Sequence, residues 1–201
     1  MNALILCHGE PPSAELLQRY LPPADLVICT DGAANWAQEH GVAPDVIVGD
    51  MDSCAEPPDC EIVDCGPHRE QENSDSEKAL LQALMRGAQR IVLLGATGRR
   101  LDHTLANIWL AARYHDCAEI ILADDWSELR VISGRQTLST IPGQIVSLLA
   151  LTPDVELATE GLQWPLRGPL EMGTRGLSNV AEGEGIFVAV HSGMVAVILP
   201  T

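Results

Sequence analysis

Residues 44–53 read PDVIVGDMDS, a short apolar run that ends on a glycine and two carboxylates. Val46, Ile47 and Val48 have the branched side chains of a buried strand, and with Asp45 the run of four residues has a strand's length rather than a helix's. If the backbone stays extended beyond Gly49, residues two apart face the same side, so Asp50 and Asp52 would share one space. Two such carboxylates repel each other unless a cation or protons lie between them.

Working outward, the same grammar recurs. Apolar runs at 3–7, 25–29, 46–48, 91–94 and 119–122 alternate with helical patterns at 14–21, 33–40, 75–86 and 102–114, with Gly41 and Gly87 placed to end two of the helices. Such alternation predicts an α/β domain with a mostly parallel, Rossmann-like sheet. After Trp126 the texture changes to LRVIS, QTLSTI, QIVSLLAL, GIFVAV and MVAVIL, broken by Ser-Gly and Pro-Gly turns. That spacing predicts an all-β sandwich. The expected domains are therefore 1–125 and 126–201.

The chain has 201 residues and a formal net charge of −16. Such a surface repels nucleic acid, and seven aromatic residues leave few stacking platforms for bases. Lys78 is the only lysine and no GxxxxGK[ST] loop is present, so a phosphate site would rest on arginine, backbone N–H groups or metal. The opening residues MNALILCHGEPP have no basic region, and no apolar run approaches a membrane span. The expectation is a soluble cytoplasmic protein with no membrane partner. Its six cysteines, without CxxC spacing, are expected as free thiols; Cys54, Cys60 and Cys65 are too few and too loosely spaced for a structural zinc site.

Polar loops follow three of the strands: Thr30-Asp31-Gly32, Gly49 to Ser53, and Gly95-Ala96-Thr97-Gly98. In open α/β sheets the ligand crevice lies outside the carboxyl ends of the strands, where these loops would meet. In QENSDSEKAL (71–80), Ser74 and Glu77 have the form of a capping box. Asp75 suits the helix dipole and equally a third metal carboxylate. GATGRRLDHTLANI (95–108) carries a glycine turn, Arg99, Arg100 and the pair Asp102-His103 into a helix whose Leu101, Leu105, Ile108 and Ala112 form one apolar stripe. Arginines near a helix N-terminus attract phosphate, although Asp102 also reads as an N-cap and His103 as a surface residue. Asp31, Asp50, Asp52, Asp75 and Asp102 thus fall at one predicted edge. Hard carboxylate oxygens suit Mg²⁺, the adaptor by which an acidic protein can hold an anionic nucleotide.

These motifs resemble those of the thiamine pyrophosphokinase family. TDGAANWA (30–37), PDVIVGDMDS (44–53), Gln71 with NSDSEKAL (73–80), GATGRRLDHTLANI (95–108), GLQWPL (161–166) and GLSN (176–179) occur in that family's order. The resemblance implies transfer of diphosphate from ATP to the hydroxyethyl group of thiamine, giving thiamine diphosphate and AMP with Mg²⁺. It implies a nucleotide-binding catalytic first domain, a thiamine-binding and dimerising second domain, and a homodimer with the site near the interface. Asp50, Asp52 and Asp75 match the metal and phosphate site, and Arg100 and Asp102 complete the catalytic set. Substrate contacts are implied for Asp31, Gly32, Asn35, Gln71, Ser74, Thr97, Gly98 and His103, with Ser178 and Asn179 on the thiamine side. Rival readings are a pyrophosphokinase for another alcohol such as a pterin, and a thiamine or nucleotide sensor that binds without turnover.

Overall fold

The computed structural model describes residues 1–51, 54, 59–64 and 73–200. Contacts within the chain divide it into two units, Met1–Asp125 and Trp126–Thr201.

The first unit contains β1 (Asn2–Leu6), α1 (Ala14–Tyr20), β2 (Leu26–Thr30), α2 (Asp31–Glu39), β3 (Val46–Gly49), β4 (Glu61–Asp64), α3 (Asp75–Met85), β5 (Arg90–Leu94), α4 (Leu101–Tyr114) and β6 (Glu119–Ala123). Its strands lie in the order β6-β5-β1-β2-β3-β4, every pair parallel. The interior strands are predominantly apolar because both faces are covered, and Ile5, Ile28, Ile47 and Leu93 are fully buried. The chain steps outward from β1 to β4, then returns to pair β5 on the other flank of β1. The order therefore reverses between β1 and β5, and their carboxyl ends bound the crevice where such sheets bind ligands.

β4 was not anticipated. It is an edge strand of four residues whose Glu61 and Ile62 are exposed, so it lacks the buried apolar run that marks its neighbours. The helices begin as their caps dictate: the Ser13 and Ser74 hydroxyls accept from Leu16 N and Glu77 N.

The second unit contains β7 (Ser127–Ile132), β8 (Arg135–Ser139), β9 (Ile145–Ala150), β10 (Glu156–Glu160), β11 (Arg167–Pro169), β12 (Asn179–Val180), β13 (Gly185–Ser192) and β14 (Val195–Pro200). They form two antiparallel groups, β12-β9-β14-β7 and β11-β10-β13-β8. One apolar core draws on both, including Leu148 and Val197 from the first and Leu157 and Val188 from the second. Among the described residues no helix is long and apolar enough to cross a membrane.

Candidate active site at the sheet's switch point

Beyond Leu6 the backbone stays joined to the end of β5. Cys7 N donates to Leu94 O at 2.8 Å, Gly9 N to Gly95 O at 2.7 Å and Glu10 N to Thr97 O at 2.9 Å. This close approach requires glycine at both positions. A Cβ on Gly9 would meet the Gly95 and Thr97 carbonyl oxygens, and Gly95, at φ 65°, would drive a Cβ into the Cys7 carbonyl. Against this seam lies a cavity of about 490 Å³.

The cavity wall gathers most of the expected site. Asp31 comes from the end of β2, Asp50 from the end of β3, Ser74 and Asp75 from the start of α3, and Gly98, Arg100 and His103 from the turn after β5 and the start of α4. Gly32, Asn35, Thr97 and Asp102 are not part of the described wall. Asp52 and Gln71 lie outside the described residues, as does Cys65.

Several local details differ from the sequence expectation. Asp31 and Gly32 form the first turn of α2 rather than a loop before it; Thr30 is the N-cap, and Asp31, favoured there by the helix dipole, is buried. The extended geometry expected beyond Gly49 is interrupted at Met51. β3 stops at Gly49, and Met51 adopts φ 63° while its side chain packs on the core. Asp50 thus lines the cavity because the chain turns there. Asp75 Oδ1 lies 3.1 Å from the Lys78 ammonium, which moderates the negative charge of the wall.

The apolar stripe of α4 is buried only toward its C-terminal end, at Ala112, with Ile108 half-buried. Leu101 is 73% exposed and Trp109 65%, with Leu105 exposed as well, whereas Asn107, Leu110, Ala111 and Ala112 are buried. Arg100, His103 and Asn107, spaced at three and four residues, line the cavity. Asp102 turns outward and pairs with Arg100, Oδ1 to Nε at 3.1 Å and Oδ2 to Nη2 at 2.5 Å. Those hydrogen bonds hold the Asp102 carboxyl down to about 2. Thr97 is likewise engaged away from the wall, donating to Asp124 at 3.0 Å.

Sequence reasoning missed the loop after β1. Cys7, His8 and Gly9 all line the cavity, as do Ser76 and Asn107. The available signal was CHGE, another polar tail on an apolar run. Burial pushes the Cys7 thiol up to about 11, the Ser76 hydroxyl bonded to its sulfur acting in the opposite sense, so it is a neutral wall group rather than a nucleophile. The Thr30 hydroxyl, in the same wall, is buried with no hydrogen-bond partner among the described residues. A buried polar atom left in this state marks a place for a ligand or water.

Among the described residues no group of three or more His, Cys, Asp or Glu converges to hold a metal by itself. Asp50 and Asp75, with Asp31 in the same wall, are hard oxygen donors of the kind that bind Mg²⁺ jointly with substrate phosphates. Cys54 and Cys60 are free thiols.

In the second unit the expected thiamine-side residues link two motifs. Asn179 is buried; its Oδ1 accepts from Trp164 N at 3.1 Å and its Nδ2 donates to Trp164 O at 2.7 Å. Trp164 is thereby held in a fixed loop with its side chain 56% exposed. Ser178 adopts φ 54° and its N–H donates to the Ser147 hydroxyl at 3.1 Å.

Comparisons with known proteins cover both units. The family described as thiamin pyrophosphokinase, catalytic domain, matches residues 17–122, and thiamin pyrophosphokinase, vitamin B1 binding domain, matches residues 132–195. Thiamine pyrophosphokinase 1 of Arabidopsis thaliana is 29% identical over 206 residues, covering 86% of this chain and 77% of that protein. Thiamin pyrophosphokinase of Geobacillus thermodenitrificans is similar in structure, with a TM-score of 0.84, 25% identity and coverage of 100% and 98% of the two chains. The Bacillus subtilis thiamine pyrophosphokinase, at 22% identity, shares the fold with a TM-score of 0.87 over 100% of this chain and 99% of that one.

Proposed function

We propose a residue-level course of reaction from one premise: this chain belongs to the thiamin pyrophosphokinase family, and it transfers pyrophosphate from ATP to thiamine. The observation that carries the residue assignments is the convergence of four separate motifs on one cavity at the point where strand order reverses.

In this reading the first unit is a Rossmann-like nucleotide-binding domain and the second a sandwich that binds thiamine. The thiamine hydroxyl oxygen forms a bond to the β-phosphorus of ATP. The bridging bond between that phosphorus and the α-phosphate oxygen breaks, the electron pair leaves with AMP, and the hydroxyl proton is released to solvent. Transfer of this kind depends on positioning and charge neutralisation. Mg²⁺ would be held by Asp50, Asp52 and Asp75, and would supply neutralisation of the polyphosphate. Arg100 binds charge developing on the phosphates, and the Thr30 hydroxyl donates to a phosphate oxygen. Asp102, held near 2, is too weak a base to take the alcohol proton at neutral pH; it orients Arg100. His103, Gly98, Ser74 and Asp31 shape the nucleotide side, with Gly32, Asn35, Gln71 and Thr97 supporting it.

On the thiamine side, Asn179 fixes the loop that presents Trp164, whose face suits a heteroaromatic cation, and Ser178 is the neighbouring substrate residue. The working form is a cytoplasmic homodimer with the site near the interface between copies. The exposed Leu101, Leu105 and Trp109 of α4, on the same helix as the cavity-lining residues, support that reading.

The test is a product assay on the purified chain with ATP, thiamine and Mg²⁺, read by phosphorus NMR. AMP and thiamine diphosphate should appear in equal amounts and vanish with chelator. ADP with thiamine monophosphate would place the attack on the γ-phosphorus and refute this course.

A further inference from the structure

Asn107 is absent from the course just described, although it lines the cavity and is only 4% exposed. Its amide nitrogen donates to Ala96 O at 2.7 Å, which ties α4 to the turn after β5. That bond also fixes which way the amide faces. The Ala96 carbonyl can only accept, so the NH₂ must point to it and the carbonyl oxygen must point away. Among the described residues nothing donates to Asn107 Oδ1. The site therefore offers an acceptor of fixed direction, on a buried residue, open to the cavity it lines.

Position along α4 limits what that partner can be. Arg100 stands at the helix N-cap, and Asn107 is seven residues further along. A rise of about 1.5 Å per residue puts roughly 10 Å of helix between them. With phosphate at the arginine end, the acceptor lies about one nucleoside length away, at the ring end of a bound substrate rather than its charged end. A fixed acceptor selects donors, and an exocyclic amine on a heteroaromatic ring offers only donors. Both substrates of the proposed reaction carry one: adenine at its six-position and thiamine on its aminopyrimidine.

We propose that Asn107 is a specificity-determining residue whose Oδ1 accepts a hydrogen bond from the exocyclic amine of a bound heteroaromatic ring. The inference takes its candidate ligands from the proposed reaction and needs only binding, so the two can fail separately. A site built around such a bond rejects an analogue that lacks the donor, because its own acceptor is then left unpaired.

The test is calorimetric binding to the full chain with Mg²⁺. One comparison sets ATP against inosine triphosphate, and the other sets thiamine against oxythiamine; in each analogue an oxygen replaces the amine. The expected result is that one pair shows a preference for the amine of about tenfold or more. Asn107→Ala should reduce that preference to within about twofold and leave the other pair unchanged, which identifies the ring that is read. Asn107→Asp keeps an acceptor but loses the bond to Ala96, so it should retain more of the preference than Asn107→Ala. Equal binding within both pairs by the native protein would overturn the assignment without recourse to any variant. So would an undiminished preference in a folded Asn107→Ala protein, or a parallel loss for all four ligands, which would make Asn107 a loop brace alone. Amine preference in a protein that forms no AMP would sink the reaction and leave this assignment standing.

Discussion

Among the described residues the non-glycine positions with left-handed backbone are Met51, Arg99 and Ser178, at φ 63°, 50° and 54°. Each lies in a motif singled out from the sequence, at GDMDS, GATGRRLD or GLSN. Such conformations cost energy and persist where neighbouring structure enforces them, commonly at functional sites. Their φ values are illegible in sequence because nothing in these side chains announces a positive φ. Replacing Ser178 by valine should therefore destabilise the chain by about 1–2 kcal/mol in urea unfolding, while Ser178→Gly should not. Asp102 gives a second prediction at this scale. Its folded pKa is depressed, so the stability from its pair with Arg100 is present above the ordinary carboxylate value and is lost as pH falls toward about 2. Between pH 5 and 9 the pair should be constant. Asp102→Asn is expected to lower turnover without moving the acid limb of the pH–rate profile; a displaced limb would make Asp102 the base.

At the scale of elements, α3 and α4 each bring cavity residues at their first turns, and a buried carboxylate ties the two together. Glu77 Oε1 accepts from Arg113 Nη1 at 3.0 Å and from Tyr114 OH at 2.7 Å. The sequence marked Glu77 only as half of a capping box, because a partner more than thirty residues away leaves no local trace. Glu77→Ala should cost about 1–3 kcal/mol in denaturant unfolding, with Glu77→Gln costing less because it can still accept from Tyr114. The parallel strands other than β4 were readable because burial on both faces gives continuous apolar runs, and the start of α3 because its serine cap is local. The orientation of α4 was not. Periodicity says that Leu101, Leu105 and Ile108 share a face, but it does not say whether that face meets the sheet or solvent. The wall instead took the polar row of Arg100, His103 and Asn107.

Over the whole chain, the family match covers both units, and the sheet order and the cavity select the same edge of the first unit. The exposed apolar row on α4 gives the homodimer proposal a concrete form. Sedimentation should show a dimer, and Trp109→Asp should shift it toward monomer with unchanged circular dichroism; a dimer untouched by that change would place the contact elsewhere. The central claim, that pyrophosphate transfer takes place in the switch-point cavity with Asp50 helping to hold Mg²⁺, is tested most directly by single-turnover formation of AMP in Asp50→Asn across a Mg²⁺ titration. The predicted result is a rate reduced by about 10²–10³-fold with a weakened dependence on Mg²⁺, in a protein whose circular dichroism matches the native chain. A native rate with native Mg²⁺ dependence would contradict it, and would move the chemistry away from this cavity.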